Sequence, residues 1–137
     1  SLKMVLDYYG IKKSEQELAR LSHAKKGSGV SASNLIAAAQ KLGLKAYFKD
    51  FQDFKDIRHY VLKKKIPVLV QWFSEDDGHY SVVVDINTEN IYLQDPDLGH
   101  LRAFKLSTFK RIWFDFPPAF LRSKKDIVIR RMIVIHP

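Results

Sequence analysis

Two short segments hold the residues best suited to chemistry. The first is Gly78-His79-Tyr80-Ser81-Val82-Val83-Val84-Asp85 and the second is Gln94-Asp95-Pro96-Asp97-Leu98-Gly99. Each places an ionisable side chain at the margin of an apolar strand, His79 in one and Asp95 in the other. A histidine can take or give a proton near neutral pH. A carboxylate bonded to one ring nitrogen fixes the tautomer and stabilises the imidazolium, leaving the other nitrogen to activate a thiol or hydroxyl. A His beside a strand-borne carboxylate is therefore a candidate general acid–base pair.

The spacing between the two segments sets how closely they can meet. Asn87-Thr88-Glu89-Asn90 has turn composition and folds one strand back on the other. A loop of Asn87-Thr88 alone sets Asp95 opposite Tyr80, and a loop of all four residues sets it opposite Val82. Either register leaves Asp95 within roughly 10 Å of His79 along the strand direction. Strict alternation puts His79, Ser81, Val83 and Asp85 on one side of their strand, with Tyr80, Val82, Val84 and Ile86 on the other. Pro96 removes a ladder donor beyond Asp95, and Gly99 permits the next reversal. On these residues alone, His79 could equally be a packed or exposed strand residue, and Asp95-Pro96 could be turn chemistry.

The elements that must carry this pair read as helices first and strands later. Leu2, Val5, Leu6 and Tyr9 recur at helical spacing, with Gly10 as a stop. Ser14 and Glu17 form a capping box for a second helix through Leu18 and Leu21. Residues 24–30 read as a basic, glycine-bearing loop. Ser33 is expected to cap a third helix, Asn34 to Leu42, with Leu35, Ile36, Ala39 and Leu42 inward and Gly43 ending it. Leu44 to Phe48 reads as a short strand, and Phe54 to Lys65 as a helix with Phe54, Ile57, Tyr60 and Val61 on one face. Strands follow at Pro67 to Phe73, Tyr80 to Ile86, Ile91 to Gln94 and Leu101 to Leu106. Ser107 to Trp113 reads as a short helix, Pro117-Pro118 as an irregular connection, and Ile127 to Ile135 as one final strand. This segregation predicts an α+β domain, its N-terminal helices packed on an antiparallel sheet.

Composition narrows the class. The 137 residues suit one domain, with 46% hydrophobic residues and nine Phe to build a core. No apolar run approaches about 18 residues, so no membrane span is expected. The absence of cysteine excludes disulfides and thiolate metal sites within the chain. The other histidines, His23, His59, His100 and His136, lack metal-ligand spacing, so no metal or cofactor is expected. The net charge of +8 is spread over Lys12-Lys13, Lys25-Lys26, Lys63-Lys64-Lys65, Arg122 to Lys125 and Arg130-Arg131. These clusters lie between elements, without the single basic face and interleaved aromatics of a nucleic-acid binder. Solvated faces explain most of them, and a membrane-surface or acidic-partner contact is the alternative.

Taken together, the segments resemble the C39 family of papain-like cysteine peptidases, the bacteriocin-processing peptidases. The opening stretch Leu2-Lys3-Met4-Val5-Leu6-Asp7-Tyr8-Tyr9-Gly10 resembles that family's first helix. Gly29-Val30-Ser31 leading into the third helix, Gly43-Leu44-Lys45-Ala46 and Pro67-Val68-Leu69-Val70-Gln71-Trp72 resemble its middle segments. Gly78-His79-Tyr80-Ser81-Val82-Val83-Val84 resembles the strand bearing its catalytic histidine, and Asp95-Pro96 with Gly99 the segment bearing its orienting aspartate. Residues after about Phe114 carry no such likeness. The resemblance implies a single domain over residues 1–137, truncated at its N-terminus, with a cysteine about four positions before Ser1 and an oxyanion-hole glutamine further upstream.

Under that resemblance His79 and Asp95 are the catalytic positions, and Trp72 and Tyr80 are either cleft walls or core aromatics. The implied activity is cleavage after a double-glycine-type leader of a bacteriocin or similar secreted peptide. The implied partners are that peptide and a membrane exporter, at the cytoplasmic face or in the cytoplasm, with no nucleic acid. The alternative is an inactive domain of the same fold that binds a peptide or export substrate without cutting it. A second rival, Ser1 as an N-terminal nucleophile, conflicts with its position at the start of a helix.

Overall fold

The computed structural model describes residues 2–23, 31–74, 77–94, 100–116, 123–124 and 127–137, without the side chains of Ser74 and Asp77. Three helices come first: α1 (Leu2–Tyr8), α2 (Glu15–Leu21) and α3 (Ala32–Lys41). Gly10, at φ +78°, and Gly43, at φ +85°, adopt the left-handed conformation that ends α1 and α3. Ser14 caps α2 by accepting from the Glu17 N–H at 3.1 Å. The expected reciprocal half of that box is replaced, because the Ser14 hydroxyl instead donates to the Glu17 carboxylate. The expected cap of α3 was Ser33; the cap is Ser31, which accepts from the Asn34 N–H at 3.2 Å. Two serines two residues apart offer the same local signal. Only Ser31 takes the extended backbone that a cap needs.

Strand β1 (Lys45–Lys49) is followed by α4 (Phe54–Arg58), whose last turn widens into a π-turn over His59–Lys63. That widening gives the Lys64 N–H to His59 O bond of 3.1 Å, a departure from the continuous α-helix that the periodicity suggests. Strands β2 (Val68–Ser74), β3 (Asp77–Ile86), β4 (Asn90–Gln94) and β5 (Leu101–Lys105) lead to α5 (Leu106–Ile112). The chain ends with β6 (Phe114–Asp115), β7 (Val128–Ile129) and β8 (Met132–His136).

Six strands form an antiparallel sheet in the order β1-β8-β2-β3-β4-β5, and β6 pairs with β7 in a small ribbon. The single strand expected over Ile127 to Ile135 is two strands in two sheets. Arg130, at φ +46°, makes the break. A run of β-branched residues favours extended backbone throughout but cannot say where the ladder partner changes.

Both faces of the sheet are covered. On one, Leu2, Val5 and Leu6 of α1 pack with Leu35, Ala38 and Ala39 of α3 and with Leu69, Val82, Ile133 and Ile135 of the sheet. On the other, Phe54 and Ile57 of α4 and Phe109 of α5 pack with Trp113, Val68, Val70, Trp72, Val83 and Val134. The alternation of β2 and β8 thus feeds two cores, each buried aliphatic contributing about 1.5–3 kcal/mol. Helices on an antiparallel sheet are the α+β architecture expected from the sequence.

Candidate active site

β3 positions His79. Its neighbours alternate as expected through Val83: Tyr80 and Val82 face the α1 side, and His79, Ser81 and Val83 face the α5 side. The alternation then breaks. A bulge between Val83 and Asp85 admits an extra residue, so Ile86 joins Val83 in the α5-side core instead of following Tyr80 and Val82. Neither expected register holds along the whole ladder: the turn is that of the four-residue loop, and the bulge then shifts the pairing by one residue. Ile86 lies opposite Ile91, as a four-residue loop requires, but beyond the bulge Gln94 lies opposite Val82. The turn is held by Asn87, whose side-chain oxygen accepts from the Glu89 and Asn90 N–H groups at 2.9 and 2.7 Å. Asp95 lies outside the described residues, as do Pro96 and Gly99; Gln94, just before it, ends β4.

The imidazole of His79 is half-buried and lies against the ring of Trp72, its partner across the β2–β3 ladder, with centroids 5.1 Å apart. Trp72 is a core residue, 1% exposed, and not a cleft wall. Its indole N–H donates to the fully buried Ser81 hydroxyl at 2.9 Å. The Arg102 guanidinium sits 5.3 Å from the centre of the Trp72 ring and 5.1 Å from that of Phe104. His79 is therefore a partly buried residue whose ring lies against a core aromatic.

Tyr80 points the other way and packs against the core that includes the first turn of α1. Burial, and after it the charge of Asp115, pushes its phenol up to about 12. Tyr80 and His79, adjacent in the chain, therefore serve opposite faces of the sheet. Sequence reasoning passed over Asp115 and Gln71 near this strand end. Asp115 carries no local signal, because its partners are distant in sequence. Gln71 could have been noticed as the one amide inside an otherwise apolar run. Among the described residues, no group of three or more His, Cys, Asp or Glu side chains could hold a metal ion. No helix among them is long and apolar enough to cross a membrane.

The sequence profile of the peptidase C39 family matches residues 1–116. The chain belongs to the peptidase C39 family. This is a family of cysteine peptidases, and its profile spans both segments singled out above. An uncharacterized protein of Methanothermobacter thermautotrophicus is 33% identical over 113 residues, covering 82% of this chain and 72% of its own length. The peptidase domain of Streptococcus ComA, a bi-functional ABC transporter involved in quorum sensing, superposes with a TM-score of 0.76 at 21% identity. That match covers 99% of this chain and 87% of the other. A double glycine motif protease from an AMS/PCAT transporter, solved with its leader peptide, gives 0.67 at 24% identity over 100% and 81% of the two chains. The peptidase C39 like domain of a Vibrio parahaemolyticus toxin secretion ATP-binding protein gives 0.64 at 18% identity, over 99% and 92%. The C39 peptidase fold expected from the sequence is the fold observed.

Proposed function

We propose that this domain carries the proton-transfer half of a cysteine endopeptidase, with His79 as general acid–base and Asp95 as the residue that orients it. Membership of a cysteine peptidase family carries the reading, and the partly buried His79, its ring against Trp72, supports it. The chain has no cysteine, so the thiol comes from outside these 137 residues.

His79 takes the thiol proton, and the thiolate–imidazolium pair is the reactive form. Sulfur attacks the scissile carbonyl carbon, whose oxygen gains the negative charge and is held by N–H donors. As the tetrahedral intermediate collapses, the C–N bond breaks and His79 gives its proton to the departing amine. Water then attacks the thioester while His79 accepts its proton, releasing the acid and restoring the thiol. Asp95 accepts the other imidazole N–H and keeps the ring aimed. The substrate we propose is a peptide behind a double-glycine-type leader, cut at the cytoplasmic face beside an exporter. The leader-peptide complex of the AMS/PCAT protease supports that choice.

The test is cleavage of such a peptide by the longer, thiol-bearing protein. His79→Ala should lower the rate about 100- to 10,000-fold with the circular dichroism spectrum unchanged. Undiminished cleavage would remove His79 from the mechanism. Peptide binding without cleavage by the unaltered protein would instead identify an inactive binding domain.

A further inference from the structure

The α5-side face of the sheet carries a charged group beside His79 that the proposed peptidase mechanism does not use. Arg102 of β5 belongs to the ladder row of Leu93, Val83 and Val68. Its guanidinium does not stay on that row. It lies 5.3 Å from the centre of the Trp72 ring, further along β2 and directly across the ladder from His79. The side chain therefore leans along the strands toward the His79 end. His79 and Arg102 lie 5.1 and 5.3 Å from the same indole, so the two fall within the span of about three extended residues of a bound peptide.

Arg102 also differs from the other partly buried arginines among the described residues. Arg58 donates to the Asn87 carbonyl at 3.1 Å, Arg130 to the Gln52 carbonyl at 2.8 Å, and Arg131 to both Asp50 oxygens at 2.6 and 2.9 Å. Among the described residues no carboxylate pairs with Arg102 and no oxygen accepts from it. Its contacts are two aromatic rings, Trp72 and Phe104, the second at 5.1 Å. Their π faces attract the charge but give no oxygen to its five N–H donors. Like His79, Arg102 is only partly buried, so an acceptor arriving from solvent can reach it.

The geometry points to Arg102 as a specificity-determining residue: its guanidinium, held against Trp72 and Phe104 beside His79, receives the side-chain carboxylate of an Asp or Glu within about three residues of the scissile bond. The fork of a guanidinium matches the two oxygens of a carboxylate, and such charge-assisted bonds are stronger than neutral ones. The aromatic contacts fix the cation in advance, so little of its freedom is lost when the acid binds. A peptide as the occupant rests on the peptidase reading above; the unfilled donors do not.

The test uses the longer, thiol-bearing protein and peptides with a double-glycine-type site, blocked at both ends so that only side chains supply a carboxylate. A single Glu is walked through the positions flanking the scissile bond, and each peptide is compared with its Gln and Lys counterparts. At one position the Glu peptide should exceed the Gln peptide about tenfold in kcat/KM, chiefly through KM, with the Lys peptide below both. Arg102→Gln should bring the Glu-to-Gln ratio at that position close to one. Arg102→Glu should reverse the order and favour the Lys peptide, which loss of a merely structural arginine would not do. No acid preference at any position in the unaltered protein, or a preference that survives Arg102→Gln, would overturn the proposal. His79-dependent cleavage without acid preference removes the subsite and spares the peptidase. If nothing is cleaved, the same comparison is read in binding by fluorescence anisotropy: an acid preference lost in Arg102→Gln keeps the subsite and removes the peptidase, and no binding removes both.

Discussion

Tyr80 shows how much a single position on β3 decides. One residue from His79, it turns to the opposite face, and its phenol is pushed up to about 12, first by burial and then by Asp115. Tyr9 is raised to about 12 by burial, with Tyr8 adding, and Tyr47 to about 12 by burial, with the Tyr60 hydroxyl adding. A phenol raised from its ordinary value of 10 binds its proton more tightly in the folded state. The stability it contributes is complete below pH 10 and is lost as pH rises through about 12. Phenolate absorbance should therefore show a late component above pH 11 while the fold persists. Tyr80→Phe should remove one phenol from that component, and a late amplitude unchanged by the substitution would disprove the assignment. His79 was legible as a candidate because its residue type and strand context are local. Asp115 and Gln71 were not, since their meeting joins positions 44 residues apart.

At the scale of elements, α4 is short, and its start depends on one cap. Asp53 accepts from the Phe54 N–H at 2.8 Å, and the Asp56 carboxylate accepts from the Asp53 N–H at 2.9 Å. The Phe54 bond, against some opposing burial, holds the Asp53 carboxyl below its ordinary 3.8, with help from Lys110 and Arg130. A depressed carboxyl contributes stability above its unfolded value and loses it as pH falls through the folded one. Asp53→Ala should cost about 0.5–2 kcal/mol at pH 7 by urea denaturation, and the gap to the parent should narrow below pH 3.8. A gap independent of pH would mean that the carboxylate is not the cap. The ends of α3 and the long run after residue 127 show where element boundaries escape sequence reading. Ser31 and Ser33 carry equal capping potential, and the β-branched run carries equal strand potential on both sides of Arg130. Tertiary pairing, not propensity, chose between them.

The whole molecule is organised by a sheet whose last strand in sequence lies between its first two. β8 pairs with both β1 and β2, so the chain must be complete before the α1-side and α5-side cores can close. The strands at the centre supply side chains to both cores: Leu69 and Ile133 to one, Val70 and Val134 to the other. The cores are therefore one cooperative unit. Leu6, fully buried under α1, is far from either tryptophan in connectivity, since Trp72 and Trp113 both belong to the α5-side core. Leu6→Ala should cost about 2–5 kcal/mol. It should move the tryptophan fluorescence midpoint and the far-ultraviolet circular dichroism midpoint together. A fluorescence midpoint that stays in place would show two independent units.

The sequence by itself determined the class of architecture, the order of the elements and the segment that presents His79. Those follow from the period of apolar residues and from turn and cap chemistry within a few positions. The resemblance of its short motifs was enough to reach the C39 family. Only the tertiary structure decided which side of β3 each residue faces beyond Val83, that the imidazole rests on Trp72, and that Asp115 lies over Gly78 beside Gln71. The physical reason is the range of the forces. Alternation and capping act along a few residues of chain, whereas a bulge, a ring contact or a buried acceptor depends on what distant segments bring to the same volume.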